Sequence, residues 1–183
     1  MLKCRVIVLL GFLCLPVAAQ SFYPHAIGNK WRYSDSLSIE ITGTTTLQNG
    51  TNVYKFQAIK TFEGTTDTFY YYQNIAGNEI HQFHSLDDVH VIVLLRGPYA
   101  TGTRWIDTNP QGEPIDTLEI IEATASLSTP AGNFTNCLKI KSYNNGNIAY
   151  LWYAPNVGFL KIQNSEACEG GCGDKELISY TIN

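Results

Sequence analysis

From residue 30 onward, apolar and polar positions alternate in short runs and do not recur at a helical spacing. In 52–62, Tyr54, Phe56, Ala58 and Phe62 fall on one face of an extended chain, and Lys55, Gln57 and Thr61 on the other. That period of two marks a half-buried strand, because successive side chains leave a pleated backbone on opposite sides. Runs of the same kind are read at 30–36, 37–47, 66–75, 79–86, 89–95, 115–128, 133–143, 148–153, 158–164 and 175–182, rich in Thr, Tyr, Val, Ile and Phe. The run 89–95 is the most apolar and is expected as a central strand.

The breaks between runs carry turn chemistry. Gln48-Asn49-Gly50-Thr51, Glu63-Gly64-Thr65, Ala76-Gly77-Asn78, Thr129-Pro130-Ala131-Gly132 and Asn144-Asn145-Gly146-Asn147 hold residues that accept a positive φ or fix a bend. A short turn is read at 25–29. Residues 98–114, rich in Pro, Gly and Thr around Trp105, are expected to be the longest irregular stretch. No internal repeat and no interdomain linker is read. The fold class is therefore all-β: a curved antiparallel meander sheet forming a half-open or partly closed barrel, as one domain over 20–183.

The first nineteen residues change the compartment. Lys3 and Arg5 precede an apolar run, Val6 to Leu15, and then Pro16-Val17-Ala18-Ala19. Basic start, short apolar stretch and small residues make a signal peptide, cut after Ala19, and place the mature chain in a periplasm or outside the cell. The apolar run is shorter than the roughly 20 residues that span a bilayer. Cys14 follows Leu13 where lipid attachment needs a small residue, so a lipid anchor is not expected. No apolar span follows in the mature chain. Losing Lys3 and Arg5 leaves ten basic residues against sixteen acidic ones, a formal charge of −6, which argues against nucleic acid and anionic membrane surfaces as partners.

Cysteine usage fits an oxidising compartment. Cys168-Glu-Gly-Gly-Cys172 has the form of two strand ends across a three-residue loop, close enough for a Cys168–Cys172 disulfide that pins the turn. Cys137 is then a free thiol, packed and not reactive.

Four stretches, in order, carry a resemblance over nearly the whole mature chain. Phe22-Tyr-Pro-His-Ala-Ile-Gly-Asn-Lys-Trp-Arg-Tyr33 resembles the "FPL-x-VGN-x-W-x-Y" opening of many bacterial secreted proteins and lipoproteins of uncharacterised activity. Thr129 to Ile140 is similar to their "PAG-x-F-x-x-C-x-x-V", Trp152 to Lys161 to their "WYAP-x-VG-x-V-K", and Glu176 to Tyr180 to their "EL-x-SY". The resemblance implies a half-open barrel of the lipoprotein-localisation type, whose concave sheet encloses an apolar ligand. Two features depart from the group: no lipid-attachment cysteine, and the Cys168/Cys172 turn. On their own physics, Gly28, Gly132 and Gly158 serve tight turns, Pro155 ends a strand, and Trp31, Phe134, Trp152 and Phe159 anchor a core.

Catalytic signatures are missing. There is no G-x-S-x-G and no S-x-x-K. Gly97 to Gly102 has the two-glycine spacing of a phosphate loop, but Thr103-Arg104 replaces the Lys-Ser/Thr it needs. His81, His84 and His90 lie near Glu79, Asp87 and Asp88, yet strand alternation sends them to different faces, so no metal is expected. No cofactor is expected either. Asp107, Glu113, Asp116, Glu119 and Glu122 surround the 98–114 stretch and are the carboxylates a secreted hydrolase would use. The eleven tyrosines point elsewhere. Tyr70, Tyr71 and Tyr72 put aromatic rings on both faces of one strand. The first reading is thus a non-enzymatic envelope module with a cavity under the 98–114 stretch, ligand-binding through Tyr72, Tyr99 and Trp105. Its partner would be a lipid, another apolar or aromatic-stacking ligand, or an envelope protein.

Overall fold

The computed structural model describes residues 21–144, 146–164 and 174–183. The leader at 1–19 and the Cys168–Cys172 pairing lie outside the described residues. In chain order the strands are β1 (Lys30–Tyr33), β2 (Leu37–Thr46), β3 (Asn52–Phe62), β4 (Thr65–Ala76), β5 (Glu79–Phe83), β6 (Ile92–Arg96), β7 (Arg104–Thr108), β8 (Pro114–Thr129), β9 (Gly132–Asn144), β10 (Asn147–Ala154), β11 (Gly158–Asn164) and β12 (Lys175–Thr181). They form a single antiparallel sheet in the order β6-β5-β4-β3-β2-β1-β12-β11-β10-β9-β8-β7. The sheet curls until its two end strands, β6 and β7, face each other, making a nearly closed barrel.

Two expectations need correcting. The 98–114 stretch is not one irregular loop: β7 runs through its middle, and Trp105 sits on that strand. Flanking Pro and Gly residues disguise a strand only five residues long. The apolar run 89–95 is not central either. Only Ile92–Arg96 is strand, at the end of the sheet, and Val89 is 87% exposed. β6 is apolar because it packs against β7 across the gap, not because it has a strand on each side.

The barrel is built from two matching six-stranded meanders, β1–β6 and β7–β12, a repeat that the sequence reading did not find. Gly28 (φ 90°) and Gly102 (φ 92°) start them. Gly28 N–H donates to the Ile41 carbonyl, and Ile41 N–H to that of Asn29; Gly102 and Ile120 repeat the exchange, with Thr103 in the place of Asn29. Trp31 pairs with Ile39, and Trp105 with Leu118. Both second strands carry a bulge just past the buried isoleucine, Ile41/Gly43 in β2 and Ile120/Glu122 in β8. The third strands carry matching segments, Asn52-Val-Tyr-Lys-Phe56 and Asn136-Cys-Leu-Lys-Ile140. Even the surface contacts match: Lys55 lies 4.2 Å from the Tyr70 ring centroid and Lys139 lies 5.0 Å from that of Tyr150.

The halves meet at β1–β12, which pair at four positions with a shift between Arg32 and Tyr33, and at β6–β7, where the backbone ladder is missing. Among the described residues, no ladder joins β6 to β7. There, the Trp105 indole N–H donates to the Val93 carbonyl at 2.9 Å, and the Asp107 carboxylate accepts the Val93 N–H. Within the second half, the described residues of β11 and β12 pair only through Lys161↔Glu176 and Ile162↔Lys175. Beyond that, Trp31 Nε1 donates to the Val157 carbonyl at 2.7 Å and Tyr33 Oη to that of Phe159 at 3.1 Å. Side chains thus satisfy backbone groups that a continuous ladder would have paired.

Candidate functional site

The concave face does not present an open aromatic cleft, because the chain's own start enters it. Ser21 to Asn29 forms a strap without ladder pairing that crosses from the β10–β11 turn, where Asn156 N–H donates to the Ser21 carbonyl at 2.7 Å, to the head of β1. Its Tyr23 ring meets Trp31, Phe56 and Tyr153 at centroid distances of 6.1, 6.2 and 6.3 Å, so it touches strands of both halves. Asn29, fully buried, ties the strap down: its amide donates to the Pro24 carbonyl at 2.8 Å and its oxygen accepts the Asn183 N–H at 2.9 Å.

Around Tyr23 lies a buried polar knot. Tyr23 hydrogen-bonds Gln73 and Tyr71. Gln73, fully buried, donates to Gln82 at 3.1 Å. Burial pushes the Tyr33, Tyr71 and Tyr153 hydroxyls above the ordinary tyrosine range, with mutual repulsion adding to it, so all remain neutral donors. His25 sits at the edge of the knot, its Nδ1 2.8 Å from the Tyr23 carbonyl and its ring 4.9 Å from that of Tyr54. Burial holds its pKa below the ordinary histidine value, against the opposing pull of the Tyr23 carbonyl and Gln73.

The three residues expected to bind a ligand are not brought together. Trp105 is buried at the β6–β7 junction. Tyr99 packs edge-on against Phe22 of the strap at 5.1 Å, and its hydroxyl donates to the Asn78 carbonyl. Tyr72 points the other way, out of the barrel, into a small second cluster with Leu47, Val53 and Phe83. The 84–91 segment reaches that cluster through Val91 and through its Leu86 carbonyl, which accepts the Gln48 N–H.

The carboxylates proposed for hydrolysis are tied into the sheet. Asp107 and Asp116 are ladder partners on one face. Asp107 is 8% exposed, and burial raises its pKa more than the Val93 and Thr108 N–H groups and His90 lower it. Asp116 Oδ2 accepts the Ser142 hydroxyl at 2.7 Å. Glu113 accepts the Asn109 amide within the β7–β8 turn. Glu119 stands opposite Arg104 and Lys141, and Glu122 opposite Lys139. The pair Asp107/Asp116 is contiguous and does not face across a cleft. His81 pairs with Glu79 at 2.7 Å, and Arg96 lies 2.6 Å from the same carboxylate, which holds Glu79 below the usual carboxylate range. The thiol of Cys137 is fully buried, free, and pushed up to about 11 by burial.

Open space lies on the outer face. Two adjoining depressions of about 240 and 310 Å³ run along β1 between β12 and β3, and share Arg32, Ser38 and Ile59. Ladder register explains the trough. Arg32 stands between Ser179 and Ser38, so a long side chain is flanked by two short ones. Ser38 in turn faces Ile59. One end is walled by the Lys30–Glu40 ion pair at 3.0 Å, and Gln57 at that end donates to the Tyr70 hydroxyl. With Lys30 holding Glu40, the Arg32 guanidinium has no ion-pair or hydrogen-bond partner among the described residues. Sequence reasoning missed this site. Its signal, the Ser-x-Arg-x-Ser arrangement, exists only across three strands.

No family model matches the chain, and no curated protein matches it. Similar solved structures include a protein of Bacteroides fragilis assigned as exported and having a YmcC-like fold, 15% identical, with a TM-score of 0.55 over 88% of this chain and 99% of that one. A lipoprotein of Parabacteroides distasonis is 16% identical, with a TM-score of 0.48 over the same shares. The first likeness establishes the architecture: the barrel has a YmcC-like fold.

Proposed function

We propose that the protein is an exported, non-enzymatic binding module of the cell envelope or extracellular space, and that it receives its ligand on the outside of the barrel, in the trough along β1. The signal-peptide reading and the Bacteroides fragilis protein of the same fold, assigned as exported, support the location. The observation that carries the site is Arg32: a cation with no partner among the described residues, set between short hydroxyl residues in a concave surface. Unpaired charge beside preformed space is what a polar ligand needs for orientation. A hydrolase reading finds less support, because its carboxylates already serve ladder and turn contacts.

The test is an amide-shift map of the mature protein against fractionated envelope and extracellular small molecules. Saturable shifts centred on Arg32, Ser38 and Ile59 are expected. Shifts centred on Tyr23, Phe56 and Tyr153 would move the site into the barrel and require the strap to leave. Turnover abolished by Asp107→Asn and Asp116→Asn would instead make the protein an enzyme.

A further inference from the structure

Resting on the reading of the trough as the ligand surface, we infer that its ligand is a carboxylated saccharide, a uronic-acid-containing oligosaccharide of two or three units. Three properties of the trough point to that chemistry. The first is the single free guanidinium. Arg32 offers a planar fork of N–H donors, the shape that takes a carboxylate through two parallel hydrogen bonds, and no described residue supplies a carboxylate to it. Ser38 and Ser179 on either side are too short to cover it.

The second is the lining. Ser36, Ser38, Thr61, Ser179 and Thr181 border the two depressions, and the Gln57 amide lies at one end. Hydroxyl and amide groups both donate and accept, which suits a ligand whose own polar groups are hydroxyls. A lining for a phosphate alone would gather several cations about one point. Here Lys30 is held by Glu40, and one charge stands among neutral hydroxyls. The third is shape. From the row of Lys30 to the row of Ser34 is four residues of strand, roughly 13 Å, longer than one sugar ring. Ile59, 37% exposed on the floor, offers an apolar patch for the C–H face of a ring.

The experiment uses the mature chain and three uronic-acid disaccharides, those of galacturonate, mannuronate and glucuronate–N-acetylglucosamine, with galactobiose as the neutral counterpart. Binding is read by calorimetry and by amide shifts. We expect at least one acidic disaccharide to bind saturably with shifts at Arg32 and Ser38. Galactobiose should bind at least about tenfold more weakly, the loss of one charge-assisted pair. Arg32→Gln should lose the same factor with an unchanged melting temperature, because the side chain is exposed and unpaired. Arg32→Lys should recover part of the loss, since charge returns without the fork. Equal binding of galactobiose, or undiminished binding by Arg32→Gln, overturns the inference. If the envelope fractions shift the trough and none of the acidic disaccharides does, the ligand class is wrong and the binding reading survives. If nothing shifts the trough, both fall.

Discussion

The indole N–H of Trp105 donates to the carbonyl of Val93 at 2.9 Å, across the gap where the two ends of the sheet meet without a ladder. Trp31 of the first half likewise donates to the Val157 carbonyl of the second, in the β10–β11 turn. Each half of the repeat therefore begins with a Gly-x-Lys/Arg-Trp segment whose tryptophan fastens it to the other half by hydrogen bond as well as by bulk, Trp105 at the closure itself. Replacing either by Phe keeps most of the apolar surface and leaves a buried carbonyl without its donor. We expect Trp105→Phe and Trp31→Phe each to lower unfolding free energy by about 1–3 kcal/mol in urea titrations. The two indoles share no hydrogen-bond partner, so the double variant should be additive to within about 0.5 kcal/mol. A loss well under that range would mean that the halves are held together by packing alone.

Asp107 gives the same junction a pH dependence. Burial raises its folded pKa above the ordinary aspartate value of 3.8. The folded protein therefore binds more protons than the unfolded chain in a window that begins near that value and extends upward, and stability from this group falls as pH rises through it. Asp107→Asn keeps an acceptor for Val93 and removes the charge. The variant should match the wild type at the acid end and become the more stable of the two as pH rises. Parallel stability curves, or a wild type that gains on the variant with rising pH, would contradict the account.

His25 acts in the opposite sense. Its folded pKa lies below the ordinary 6.5. The unfolded chain then binds more protons in the window below 6.5, and the strap's contribution, complete above that value, is lost as pH falls toward the lowered one. Melting temperatures of wild type and His25→Phe should diverge on acidification from pH 7.5 to 5, with the wild type losing more. Amide protection at positions 23 and 25, corrected for the intrinsic pH dependence of exchange, should fall over the same range in the wild type only.

The repeat predicts a neutral substitution. Cys137 occupies the place that Val53 holds in the first half, in Thr-Asn-Cys against Thr-Asn-Val. Cys137→Val adds roughly one methyl group at a position whose counterpart already holds valine, and should change stability by less than about 1 kcal/mol. The wild-type thiol, buried and with its pKa pushed up to about 11, should react with an alkylating reagent only on the time scale of unfolding.

Most strands and turns were legible because their causes are local. Gly50, Gly64, Gly77, Gly132 and Gly146 take the positive φ that their turns require. What was illegible depended on partners far along the chain. β7 hides in a Pro- and Gly-rich stretch, and β6 owes its apolar character to Trp105, which packs against it from outside the ladder. The repeat escaped notice because its matching positions are spaced differently. Trp31 lies eight residues before its partner Ile39, and Trp105 thirteen before Leu118, the turn between β7 and β8 being longer. Phe22-Tyr23 reads as part of a motif, and nothing local says that Tyr23 will lie between Phe56 and Tyr153. The trough exists only once Ser179, Arg32 and Ser38 stand side by side on three strands.

The central claim is that the strap keeps the barrel interior occupied and leaves recognition to the outer face. Fluorescence titration of the mature protein with cis-parinaric acid tests it directly, since Trp31 and Trp105 border the interior and would transfer energy to an apolar polyene lodged there. The account expects no saturable transfer in the wild type. One-to-one saturation with strong quenching of tryptophan emission would contradict it, and would return the binding site to the inside of the barrel.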